Sequence, residues 1–242
     1  MKVTVYDCGD PHVVSRKAEI LQIAREAFDD VPEQELEDRY QKYPEIALAE
    51  DAQGIGGFVF LTYHSFQREE VIGLRFIAVG DRCRNRGLST LLTAMVLMRK
   101  YYRYLPTRVL PGGPRQLYVM TRVCNPKAFY TLTKGNAGVS PALGAEDPLI
   151  EVRNRAALYA WLGDELGLEN FDPKTAIVSG GAADAGIHPQ NTRVQGDDQR
   201  DWEAYVPVGS EILMLMPVDW KLVCGNALRF VKLFKPAFLR KY

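Results

Sequence analysis

The stretch from Val71 to Arg99, VIGLRFIAVGDRCRNRGLSTLLTAMVLMR, constrains the fold more than any other part of the 242-residue chain. It opens on an apolar, β-branched run from Val71 to Val79, which predicts a strand. A polar loop carrying Arg82, Arg84 and Arg86 follows. The segment closes on Leu88, Leu91, Leu92, Met95 and Val96, whose spacing puts five apolar side chains on one helical face and leaves Ser89, Thr90 and Thr93 elsewhere. Such a helix packs on a sheet with its N-terminus pointing out of it. Unpaired N–H groups and the positive end of the dipole make that terminus attractive to anions, and Gly87 allows close approach to the backbone. The stretch therefore reads as a cradle for a phosphorylated ligand. The plain alternative is an ordinary strand–loop–helix unit with solvated arginines.

The spacing narrows the ligand by exclusion. A Walker loop requires a Gly-Lys-Ser/Thr ending, and a dinucleotide fold requires three spaced glycines directly after the strand; neither is present. The segment resembles the acyl-CoA-binding core of the GNAT superfamily of N-acyltransferases, whose loop runs Arg/Gln-x-x-Gly-x-Gly/Ala after a strand ending in an Ile-Ala-Val-like triplet. Ile77, Ala78 and Val79 match the triplet, Arg84 takes the Arg/Gln place, Gly87 is the central glycine, and Ser89 stands where Gly or Ala is usual. Asn85 replaces a frequent glycine and tolerates left-handed backbone. The resemblance implies that Ile77, Ala78, Val79, Arg84, Asn85, Arg86, Gly87, Leu88, Ser89 and Thr90 hold the donor. A second partial motif follows the strand expected at Gln116 to Val123, where the family commonly places Asn-x-x-Ala and the asparagine bonds to the pantetheine arm. Asn125 and Ala128 match it, with Pro126 suited to a first helical turn.

One departure bears on mechanism. The family usually carries a tyrosine four residues after that alanine to protonate the leaving thiolate, and Leu132 stands there. Tyr130 is two positions earlier, about 200° around a helix of ~3.6 residues per turn, and reads equally as general acid or as packing aromatic. For the base that frees the acceptor amine, Glu50, Glu70, His64 and Asp81 are available; Glu50 and Tyr130 are taken as the catalytic candidates. Cys124 adjoins the second motif, but no histidine is placed beside it in sequence.

Around this core the chain predicts a strand at Lys2 to Tyr6 and a helix capped by Ser15 with Ala18, Leu21, Ala24 and Phe28 on one face. A second helix follows Pro32 through Leu36 and Tyr40. Strands follow at Ile46 to Glu50 and Gly57 to His64, with Gly54, Gly56 and Gly57 relaxing the hairpin between them. By resemblance the two helices flank the acceptor entrance. A Pro-Gly-Gly-Pro turn falls at Pro111 to Pro114. Beyond Gly135 the pattern ends: Arg153 to Leu166 reads as a helix, Thr175 to Val178 as a strand, and Ser179 to Asp201, including His188, as a long loop that is either an acceptor-site lid or an inert insertion. Glu211 to Val218 reads as a buried strand. The tail from Asn226 to Tyr242 reads as a basic amphipathic helix that either packs on its own domain or meets an anionic membrane or carrier protein.

The expected fold is thus α/β, GNAT-like: a mixed, mostly antiparallel central sheet flanked by helices, with a large insertion before the last strands. Its expected division is a core at 1–135, an insertion at 136–210 and a completing strand and helix at 211–242. Lysine plus arginine and aspartate plus glutamate each number 30, so no global field draws nucleic acid. Four scattered cysteines form no metal or disulfide pattern, and no segment reads as a signal or membrane span, which makes a cytoplasmic location the expectation. The resemblance implies acyl transfer from acetyl-CoA or another acyl-CoA to a small-molecule or peptide amine, with no metal. Two alternatives stay open: transfer of a longer chain, with acyl carrier protein as partner, and a non-catalytic CoA-binding regulatory module. A homodimer is compatible with each.

Overall fold

The computed structural model describes residues 1–28, 31–108, 116–133, 138–180, 194 and 196–218. The turn at 111–114, His188 with most of the expected loop, and the basic tail helix lie outside the described residues. The chain divides into two compact units, Met1–Tyr63 with Ile72–Leu117, and His64–Val71 with Tyr118–Pro217.

In the first unit β1 (Lys2–Asp7), β2 (Glu45–Asp51), β3 (Gly54–Phe66) and β4 (Glu69–Val79) lie in sequence order, with β1 and β3 both antiparallel to β2. The tip of the β3–β4 hairpin counts with the second unit. Alternation along the strands divides the core. Ile46, Leu48, Phe58 and Phe60 are buried against Ile20, Ile23 and Ala24 of α2 (Lys17–Ala27) and Leu36 and Tyr40 of α3 (Glu33–Lys42). Ala47, Ala49, Val59 and Leu61 are fully buried on the other face. There α4 (Leu88–Arg108) lies against β1 and β2, and the alanines keep that face low enough for a helix to approach. The buried stripe of α4 is wider than expected, because Thr93, Ala94 and Leu97 join Leu88, Leu91, Leu92 and Val96 while Met95 is half-buried.

Two local expectations are corrected in this unit. Ser15 does not cap the first long helix. It ends a short α1 (Pro11–Ser15), which Asp10 caps by accepting from the His12 N–H at 2.8 Å, and a break at Arg16 precedes α2. Gly54 turns the β2–β3 hairpin at φ +109°, but Gly57 serves close packing: a Cβ there would stand 2.8 Å from the Ala78 carbonyl oxygen and 3.2 Å from Leu88.

The second unit orders its strands β5 (Gln116–Val123), β8 (Glu211–Pro217), β7 (Ile177–Val178) and β6 (Phe171–Asp172), each antiparallel to its neighbour. Met120, Leu213 and Leu215 pack with Val152 of α6 (Ile150–Asn154) and Leu158, Tyr159 and Leu162 of α7 (Ala156–Glu165). The single helix expected from Arg153 to Leu166 is therefore two helices, separated at Arg155, whose φ and ψ of −119° and 24° leave the helical region. The fully buried Tyr159 hydroxyl donates to the Ser140 carbonyl at 2.7 Å. The end of the expected loop is also helical. As α8 (Asp197–Tyr205), it draws on Gln199, Arg200, Glu203 and Ala204, all good helix formers, carries two aspartates in its first turn, and sets Trp202 5.8 Å from Phe129 of α5 (Pro126–Thr133).

Candidate functional site

The arginine loop of the first unit is built from its ends. As β4 finishes, the Gly80 N–H donates to the Gly56 carbonyl at 3.0 Å, and a tight turn at Asp81–Cys83 follows. Asn85 at φ +59° and Gly87 at φ +74° then reverse the chain, so the two positions that tolerate left-handed backbone bracket Arg86. Helix α4 begins at Leu88, with the Leu91 N–H on the Gly87 carbonyl at 3.0 Å and no acidic residue in its first turn. Leu88 is buried between Gly56 and Gly57, while Ser89 and Thr90 stay half-buried at the helix end.

The three arginines do different work. Arg82 donates to both Asp51 carboxylate oxygens at 3.1 Å and to the Gly54 carbonyl at 2.7 Å, tying the loop to the β2–β3 turn. The guanidinium beside Asp51 holds its carboxyl below the usual carboxylate range. Arg84 pairs with Asp81 at 2.8 Å on the surface. Arg86 is exposed and makes no ion pair among the described residues. On the other side of the loop, Glu26 of α2 accepts the Asp81 N–H at 2.8 Å.

The strand before the loop holds a feature that the sequence does not disclose. Phe76, inside β4, has φ +45°, a conformation disfavoured for a bulky residue and one that turns the local peptide groups out of the regular pleat. Ala78 is buried, and Ile77 and Val79 beside it are half-buried.

Glu50 sits where β2 is bulged between Ala49 and Glu50. Its carboxylate is 2.9 Å from His12 Nε2 and 3.5 Å from an Arg16 guanidinium nitrogen, and it accepts from the Tyr6 hydroxyl at 3.4 Å. It is thus a held carboxylate in a polar cluster that sequence spacing does not reveal, since His12 lies 38 residues away. Asp81 is engaged by Arg84, Glu70 is exposed, and His64, in the second unit, meets Glu165 at 3.3 Å.

In the second unit the Asn-x-x-Ala spacing has a structural meaning. Asn125 Oδ1 accepts the Ala128 N–H at 2.8 Å, so asparagine caps α5 and alanine is its third helical residue. Asn125→Ala is expected to cost about 1 kcal/mol of stability through the lost cap, read as a lower urea midpoint at unchanged slope. The Tyr130 hydroxyl is buried with no hydrogen-bond partner among the described residues, and its pKa is pushed up to about 12, first by burial and then by Asp198 and Asp201 of α8. Burial, with Glu211 nearby, pushes the Cys124 thiol up, which disfavours the nucleophilic thiolate.

Among the described residues no three His, Cys, Asp or Glu side chains are grouped to hold a metal ion, and no helix is long and apolar enough to cross a membrane.

The chain thus defines an α/β protein whose antiparallel strands lead through an arginine loop into a helix N-terminus. Its sequence matches no protein-family model and no curated protein. Among solved structures it is similar to GCN5 of Tetrahymena, with TM-score 0.46 and 11% identity over 90% of this chain and 97% of that one. It is also similar to the aminoglycoside 6'-N-acetyltransferase of Enterococcus faecium, with TM-score 0.41 and 14% identity over 90% and 97%. A third is the GNAT family N-acetyltransferase YhbS of Escherichia coli, solved in complex with CoA, with TM-score 0.38 and 17% identity over 54% and 67%.

Proposed function

We propose that the protein is an N-acyltransferase that moves an acyl group, acetyl by default, from CoA to a primary amine by direct attack on the thioester. The observation that carries this reading is the loop from Arg84 to Leu88. Two left-handed residues bracket an arginine with no ion pair among the described residues, and directly after them starts a 21-residue helix with no acidic residue in its first turn. The backbone N–H groups and dipole of the α4 N-terminus are preceded by two exposed arginines, Arg86 and the Asp81-paired Arg84, a run of positive charge that suits a pyrophosphate. Arg82 is the support of that loop rather than a ligand contact, because Asp51 and Gly54 already take its donors.

In the reaction the acceptor nitrogen, as free amine, forms a bond to the thioester carbon, the carbon–sulfur bond breaks, the nitrogen gives up one proton to a base or to solvent, and the thiolate takes one from solvent or a side chain. The peptide groups around Phe76 to Val79 are the donors proposed to polarise the carbonyl. Glu50 is proposed to act through His12, 2.9 Å away, rather than alone. Burial raises the Tyr130 hydroxyl above the ordinary tyrosine range, which makes it a weaker proton donor to the leaving thiolate than an exposed tyrosine. Tyr130→Phe is accordingly expected to leave turnover within about threefold of wild type, whereas a residue acting as general acid contributes on the order of 100-fold or more.

Binding of free CoA, acetyl-CoA and longer acyl-CoAs, measured by calorimetry, tests the reading. Binding with a preference for short chains supports acetyl transfer, and a preference for long chains moves the donor toward a long-chain thioester or a loaded carrier protein. No binding by any of them overturns it. The Tyr130 hydroxyl, with no hydrogen-bond partner among the described residues, favours one second reading, a CoA-binding module without turnover; release of free thiol in the presence of an amine panel decides against that module.

A further inference from the structure

Phe76 is held from both sides. The Phe28 ring at the end of α2 stacks on it with centroids 4.6 Å apart, and on α3 the Arg39 guanidinium carbon stands 4.0 Å from its centroid. Phe58 of β3 closes the edge at 6.0 Å. Arg39 is itself committed, with one terminal nitrogen on Glu35 one turn away and its Nε buried with no hydrogen-bond partner among the described residues. Two disfavoured features therefore coincide: a phenylalanine in left-handed backbone and a guanidinium nitrogen deprived of water. Strained positions persist where their surroundings over-determine them, and here the surroundings are a ring and a cation clamping one side chain.

We propose that Arg39, clamping Phe76 against Phe28, is a positioning residue for the thioester: it keeps Phe76 left-handed and so aims the adjoining peptide N–H groups of β4 at the acyl carbonyl. The inference rests on the acyl-transfer reading and adds a residue on α3 that neither cofactor motif contains. Phe76 relaxes to extended backbone once the cation leaves its ring, and the peptide groups return to the regular pleat. Binding of the nucleotide end of CoA does not depend on the clamp, because that end is held at the α4 N-terminus.

The test is infrared difference spectroscopy of acetyl-CoA labelled with carbon-13 at the thioester carbonyl, together with calorimetry of CoA, on wild type, Arg39→Ala, Arg39→Gln and Arg39→Lys. In wild type the bound carbonyl band lies below that of free acetyl-CoA, as a polarised carbonyl must. In Arg39→Ala and Arg39→Gln the band returns to the free position while the Kd for CoA stays within about twofold, and Arg39→Lys, which keeps a cation over the ring, retains at least about half of the shift. Arg39→Gln keeps a planar polar head beside Glu35, so the result stands even where the alanine variant fails to fold. Turnover falls on the order of 10- to 100-fold with the band. A wild-type band in Arg39→Ala or Arg39→Gln, a free-position band in Arg39→Lys, or loss of CoA binding in a folded Arg39 variant overturns the proposal. An unshifted band in wild type that binds acetyl-CoA overturns it while leaving the acyl-transfer reading intact; failure of wild type to bind acetyl-CoA takes down both.

Discussion

Replacing Gly87 by glutamate is expected to weaken the proposed acyl-CoA binding by at least about 100-fold in the calorimetric Kd, or roughly 3 kcal/mol. Three effects act together at this one position. The residue has φ +74°, which only glycine takes without strain, so any side chain disturbs the turn that starts α4. In the proposed binding mode a side chain here also stands beside the helix N–H groups that would meet a phosphate. The new carboxylate then competes as an anion for the same N–H groups and for Arg84 and Arg86. Gly87→Ala separates the steric part from the electrostatic part: it strains the turn without adding charge, and is expected to weaken binding by about tenfold. Raising the salt concentration weakens wild-type binding and leaves the residual binding of Gly87→Glu little changed, since the attraction is between exposed charges. Unaltered binding in Gly87→Glu shows that the arginine loop is an ordinary surface turn.

The largest stability effect is expected in the second unit. Glu211 opens β8 with its side chain only 5% exposed, and Arg122 of β5 holds its carboxylate through Nε and a terminal nitrogen. Arg122→Leu leaves that carboxylate in the interior with its partner gone, and is expected to cost about 3–5 kcal/mol, because an uncompensated buried charge is far less tolerable than a missing ion pair. Leucine at both positions is expected to recover most of this loss, since the two changes remove the charges together. Urea unfolding followed by tryptophan fluorescence reports on it directly: Trp161 and Trp202 both belong to the unit that carries the pair. A loss below about 1 kcal/mol in Arg122→Leu shows that the carboxylate escapes to water and that the pair is not structural.

Much of the first unit is legible in the sequence because its signals are local. Strand alternation at Ile46, Leu48, Phe58 and Phe60, the helical stripe of α4 and the left-handed tolerance of Asn85 and Gly87 are all properties of neighbouring residues. The Asn-x-x-Ala motif is legible for a related reason, since its spacing is that of a helix cap and the N–H it satisfies. Legibility fails where partners are distant in sequence. Arg82 and Asp51 are 31 residues apart, so three arginines look alike although one is structural. Glu50 and His12 are 38 apart, and a lone carboxylate in the sequence becomes one member of a cluster. The helix α8 is hidden because the stretch as a whole is rich in Gly, Ala, Asp and Asn and reads as a loop, although DDQRDWEAY itself contains Gln, Arg, Glu and Ala and seats Trp202 near Phe129.

The sequence by itself determined where strands alternate, where α4 starts and why an anion would be drawn there, because hydrophobic period, glycine conformation and the helix dipole act over a few residues. Only the tertiary structure decided which arginine ties the loop to Asp51, which carboxylate is held and that Phe76 is bent into a left-handed conformation beneath Arg39. Those outcomes depend on side chains from different elements competing for the same space and charge, and no local pattern along the chain encodes that competition.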